Sequence, residues 1–87
     1  MVSLGELISL MNIGQEMARK LRAVKITTAE ELERVGSREA FFKLKVLFPE
    51  VCLVHLYTLE GAISGVEFNQ LPEDVKASLK AFSDQLK

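Results

Sequence analysis

The chain has no tryptophan, one tyrosine, one histidine, one cysteine and two prolines in 87 residues. A single cysteine, Cys52, leaves no internal disulfide, and His55 alone cannot complete the four ligands of a structural zinc site. The fold must therefore rest on packing, as suits a reducing compartment. No long hydrophobic run exists. The most apolar stretch, Val51 to Leu59, is nine residues long, interrupted by His55 and stopped by Glu60, well short of the ~20 residues that span a bilayer. Met1 to Glu6 has neither a basic nor a long apolar segment, so no secretory signal is read there. The expectation is a cytoplasmic protein with no membrane partner.

Catalytic templates are missing too. Gly5, Gly14, Gly36, Gly61 and Gly65 are scattered and follow no strand pattern, so no phosphate-binding glycine loop forms. His55 falls on the same helical side as Cys52, Leu59 and Ala62 and reads as a half-buried structural imidazole. Cys52 and His55 have the i, i+3 spacing of a thiolate–imidazole pair, but no acid or amide stands at a supporting distance in sequence. The chain is read as a non-enzyme with no catalytic residue, metal, cofactor or small-molecule substrate.

Apolar residues make up 48% of the chain and charged residues 26%, an ordinary globular balance. Residues 1–87 are one domain, since this length supports one modest core. Net charge is −1 but divides unevenly, with a small positive excess up to Lys45 and a negative excess after it. Arg19, Lys20, Arg22 and Lys25 form a basic run without an acid among them. It reads as a solvated helix face or, alternatively, as a phosphate contact.

Breakers and caps divide the rest into helices. Leu4, Leu7, Ile8 and Met11 follow the helical period, so residues 3–10 form a first helix. Asn12-Ile13-Gly14 interrupts it, with Gly14 expected to make the sharp corner and Asn12 also tolerant of left-handed backbone. A helix over about 15–24 carries Met17, Ala18, Leu21 and Val24 on the side of Ile13. Thr28 and Glu31 have capping-box spacing for a helix with Ala29, Leu32 and Val35 inward, ended by Gly36. Ser37 caps a helix with Ala40, Phe41, Leu44, Leu47 and Phe48 inward, stopped by Pro49. The next, about 50–65, puts Cys52, Leu56, Leu59, Ile63 and Val66 on one face and Leu53, Val54 and Tyr57 on the other, which marks it as central. Gly61 and Gly65 lie four apart, where another helix can approach. A last helix starts at Pro72, with Leu71, Val75, Leu79, Phe82 and Leu86 as its stripe. The fold class is all-α: five to six short helices around one core, with no strand pattern.

Leu10 to Leu21, followed by Ile26-Thr27-Thr28 and Glu31-Leu32, reads as a helix–hairpin–helix segment. Such a hairpin aims backbone N–H groups and a helix N-terminus at a phosphate, without reading sequence. Asn12 replaces the motif's usual first glycine, Gln15 stands where proline is frequent, and Glu16 puts a negative charge on the first turn.

The order Asn12-Ile13-Gly14, Ala18, Leu21, Ile26-Thr27, Glu31-Leu32, Leu53 to Leu56, Leu59-Glu60-Gly61-Ala62-Ile63-Ser64-Gly65-Val66 and Leu71-Pro72 resembles the C-terminal domain of TfoX/Sxy proteins, bacterial regulators of natural competence. The resemblance covers residues 7–82. It implies a helical fold, a bacterial cytoplasmic setting and a part in transcription regulation of DNA-uptake genes, beside a DNA-bound activator. Longer members of that family carry a further domain ahead of this one.

Two function classes follow. The first is a regulatory protein-interaction domain, with a partner or a second copy seated on Leu53, Val54, Tyr57 and Gly61; the alternative is that the last helix covers that surface. The second is weak sequence-independent DNA binding through Asn12, Ile13, Gly14, Gln15, Arg19, Lys20 and Arg22, with affinity that falls steeply with salt.

Overall fold

The computed structural model describes Leu7, Leu10 and residues 12–86. The helix expected over residues 3–10 therefore lies outside the described residues, except for Leu7, which is helical and fully buried, and Leu10, which packs on the core. Five α-helices follow: α1 Gln15–Ala23, α2 Ala29–Val35, α3 Ser37–Leu47, α4 Leu53–Ser64 and α5 Glu73–Gln85, with a 3₁₀ turn at Phe68–Gln70 before α5. Among the described residues there is no strand, and the buried side chains form one apolar cluster. The architecture is all-α with a single core.

Each boundary has a local cause. α1 ends in a Schellman turn: Ile26 N–H bonds the Leu21 carbonyl at 2.9 Å and Lys25 N–H bonds that of Arg22 at 3.0 Å. Lys25 is forced to φ +71°, a conformation that glycine or asparagine takes more cheaply. Lys25→Gly should therefore stabilise the fold by about 0.5–1 kcal/mol, the left-handed penalty relieved less the extra unfolded freedom of glycine. The check is a higher urea midpoint at unchanged denaturant dependence.

Thr28 caps α2, its Oγ1 accepting the Glu31 N–H at 3.0 Å. The Glu31 carboxylate reaches back one residue further than a standard box and accepts from the Thr27 N–H at 2.7 Å and the Thr27 hydroxyl at 2.8 Å. Those bonds, the backbone one foremost, hold its carboxyl below the usual range. Gly36, at φ +89°, both closes α2 and opens α3. Ser37 is not the cap expected of it. It is the first residue of α3, and its buried hydroxyl donates to Glu60 Oε1 at 2.6 Å, tying α3 to α4.

α3 stops at Phe48 because the residue before a proline avoids helical backbone. Ala40, Phe41 and Leu44 are buried as expected, whereas Leu47 is exposed. Phe48 turns in as expected, with the Lys20 ammonium 5.6 Å from its ring centre. α4 starts later than expected, since Pro49-Glu50 form a turn and Cys52 is an extended N-cap; Cys52 is consequently exposed rather than on the inward face. Val66, beyond the left-handed Gly65 that ends α4, is also outside the core.

α4 is central. It packs on α2, α3, the 3₁₀ turn and α5, burying Leu56, Leu59, Gly61 and Ala62. On its second apolar side, Leu53 and Tyr57 are covered by α5: Tyr57 donates its hydroxyl to the Lys76 carbonyl at 3.5 Å, and Leu53 shares a cleft with Lys80 and Ser83. Pro72 is the N-cap of α5 rather than its first residue, and Leu71 and Leu79 anchor that helix.

Candidate functional site

The hairpin was expected to turn on Gly14. The left-handed residue is Asn12, at φ +73°, while Gly14 is extended (φ −98°, ψ −174°) and serves as the N-cap of α1. A Cβ at position 14 would meet nothing within 4 Å. Neither backbone angle nor space demands glycine there, so the corner belongs to Asn12. Its amide explains why asparagine stands in place of glycine: Nδ2 donates to the Val66 carbonyl at 3.0 Å, across 54 residues of sequence. Ile13, next to it, is buried in the core and pins the turn.

Between this turn and α4 runs a cleft of about 380 Å³. Asn12, Gly14, Gln15, Glu16, Met17 and Lys20 line the hairpin side, and Val54, His55 and Thr58 line the α4 side. Gly14 has no side chain to cap α1, so the first turn of that helix opens without a side-chain cap.

The basic run does not form a continuous strip. Glu16 bonds the Arg19 guanidinium through both carboxylate oxygens. That bond first of all lowers the Glu16 carboxyl below its usual range and raises Arg19. Lys20 is buried, with its ammonium 3.9 Å from Glu16 and 3.7 Å from Glu50. Arg22 and Lys25 are exposed on the far stretch of α1 and its turn. Of the residues considered for phosphate, the structure gathers Asn12, Gly14, Gln15 and Lys20 at the cleft, buries Ile13, and turns Arg19 to Glu16.

The residues considered for a protein interface separate likewise. Leu53 and Tyr57 face α5, and Gly61 is buried inside the chain. Its neighbour is not a second helix: a Cβ there would lie 2.5 Å from Asn12 Nδ2 and 2.6 Å from the Val66 carbonyl oxygen. Val54 alone of the four is open, about half exposed at the mouth of the cleft.

Cys52 and His55 together open α4. The Cys52 N–H donates to His55 Nδ1 at 3.0 Å, and Cys52 Sγ lies 3.6 Å from the same nitrogen. The ring nitrogen nearest the thiol thus already accepts a backbone N–H, which makes the pair a helix cap in chemical terms. Burial, and then the charge of Lys20, push the imidazole below its ordinary value. Among the described residues, no three or more His, Cys, Asp or Glu are grouped to hold a metal, and no helix is long and apolar enough to cross a membrane.

Among the described residues, three large apolar side chains are exposed on α3: Phe42 at 47%, Val46 at 65% and Leu47 at 54%. Sequence reasoning treated α3 as a one-sided core helix. The available signal was the i, i+4 spacing of Phe42 and Val46, off the Ala40–Phe41–Leu44 stripe.

No curated protein matches the chain. Among solved structures, the triclinic crystal form of an uncharacterized protein from Listeria monocytogenes is 40% identical, with a TM-score of 0.90 over 92% of this chain and 91% of that one. The tetragonal form of a protein of unknown function from the same organism is also 40% identical, with a TM-score of 0.90 over 93% of this chain and all of that one. Residues 4–83 match the model of the TfoX C-terminal domain. With that match over nearly its whole length, and the same helical fold in a 40%-identical relative, the chain belongs to the TfoX C-terminal domain family.

Proposed function

We propose that the chain is a non-enzymatic interaction domain that acts in transcription regulation by docking a protein partner, in keeping with the competence regulators for which its family is named. The observation that carries this is the outer face of α3. Phe42 and Val46, one turn apart, and Leu47 beside them hold apolar surface in water while the opposite side of α3 is fully packed. Exposed apolar residues grouped on one rigid helix are the usual seat of a partner. Val54 at the cleft mouth adds a smaller contact.

The DNA reading has one feature in its favour, the absence of a side-chain cap on α1 beside the hairpin turn. Against it, Glu16 lies on that same first turn, and Arg19 and Lys20 are turned to Glu16 and Glu50. Protein docking is the better-supported reading.

The test compares wild type with a Phe42→Ser/Val46→Ser double variant as bait in cross-linked bacterial extract. The expected result is one major partner captured by wild type and reduced at least tenfold with the variant, at matched thermal stability. Equal capture by both baits, or none by either, would overturn the docking surface. Gel shifts with duplex DNA at low salt are the second arm: retardation lost on neutralising Arg19 and Arg22 would move the reading to DNA.

A further inference from the structure

His55 is the only histidine in the chain, and its cap exists in one protonation state alone. To accept the Cys52 N–H, Nδ1 must carry no proton, so the neutral ring is the Nε2–H form. The contact is the reach-back arm of a capping box, the part that Glu or Gln commonly takes at the third helical position. A proton added at Nδ1 removes the acceptor and leaves two donors facing each other.

The surrounding charges act on this ring from several sides. Lys20 of α1 and Lys45 of α3 oppose a positive charge on it, and Glu50 between α3 and α4 favours one. Glu16 lines the same cleft, but its carboxylate is engaged by Arg19. On its own helix the ring meets Cys52 Sγ. Val54 and Thr58, within the first turns of α4, form the wall that the cleft presents to the hairpin.

We propose that His55 is an acid-sensitive latch: neutral, it caps α4 and holds the α4 wall of the hairpin cleft; protonated, it releases the Cys52 N–H and the first turn of α4 loosens. The sign of the linked stability follows. Burial and Lys20 make the folded chain take this proton less readily than the unfolded chain does. This contribution is therefore full above the ordinary histidine value and is lost as pH falls through it toward the folded one. The latch does not depend on how the outer face of α3 is used.

A lone histidine makes the test clean. In nuclear magnetic resonance from pH 8 to pH 4.5, the His55 Hε1 signal should titrate with a midpoint below the ordinary histidine value. The Cys52 amide signal should shift with the same midpoint, and amide exchange in the first turn of α4, corrected for intrinsic rates, should quicken on the order of tenfold. In His55→Gln the side-chain carbonyl can still accept the Cys52 N–H but does not titrate in this range. The Cys52 amide of that variant should stay still. A wild-type Cys52 amide that ignores the His55 midpoint would overturn the latch, as would an equal shift in His55→Gln. The wild-type titration alone decides the first point even if the variant folds poorly.

Discussion

Gly61→Ala is expected to destabilise the fold by about 2–3 kcal/mol, although alanine in mid-helix is ordinarily favoured over glycine by about 0.5–1 kcal/mol. The sign reverses because the space at position 61 is already taken. The new Cβ would lie 2.6 Å from the Val66 carbonyl oxygen and 2.5 Å from Asn12 Nδ2. Asn12 can swing away only by giving up its 3.0 Å bond to that carbonyl. Val66 is still less free, since its own N–H and that of Gly65 both bond the Gly61 carbonyl, at 3.0 and 2.8 Å. The hairpin turn, the end of α4 and the glycine are one interlock. Asn12→Ala should itself cost about 1–2 kcal/mol, from the lost bond and from an alanine held in left-handed backbone. The Asn12→Ala/Gly61→Ala double variant should lose less than the two single losses added together, by about 1 kcal/mol, because one of the two clashes is gone. Urea unfolding of the four proteins measures all of this. A Gly61→Ala variant as stable as wild type would mean that the Val66 carbonyl does not press on this helix.

This interlock also marks where the sequence stops being readable. The helical period of Met17, Ala18 and Leu21 and of Ala40, Phe41 and Leu44, the Thr28–Glu31 cap and the stop at Pro49 are local signals, and the fold class follows from them. Residues 12 and 66 are 54 apart, and nothing in either neighbourhood announces that an asparagine amide will reach a helix-ending carbonyl. Glycine's freedom to take positive φ therefore pointed to Gly14 as the corner, whereas the residue that bends also donates a bond, and Asn12 does both. The candidate site was half legible for the same reason. Spacing placed Asn12, Gln15 and Lys20 near one another, but not the Glu50 that faces Lys20 from the turn after α3, and it left open whether a partner or the last helix covers Leu53 and Tyr57, which the structure assigns to α5. The α3 outer face was legible in principle. Phe42 and Val46 stood one turn apart, and it took the burial of Phe41 and Leu44 to show which side of α3 faces inward and which stays exposed.

Phe41→Ala should be the most damaging single substitution in α3, at about 3–5 kcal/mol, while Phe42→Ala next to it should change stability by no more than about 0.5 kcal/mol. The two rings differ by one step of the helix, roughly 100° around its axis. That step carries Phe41 to the side where α3 meets α1, α2 and α4, leaving it fully buried, and puts Phe42 in water at 47% exposure. Truncating Phe41 removes the largest fully buried side chain and leaves a cavity that the surrounding helices close only in part. For a domain of this length, total stability is roughly 4–13 kcal/mol, so the loss takes up a large share of it and should lower the urea midpoint steeply at similar denaturant dependence. The contrast tests the reading of α3 as a helix with a packed side and a docking side. Phe42→Ala should keep the midpoint and lose partner capture, whereas a large drop in its midpoint would place Phe42 inside the core and remove the proposed docking face with it.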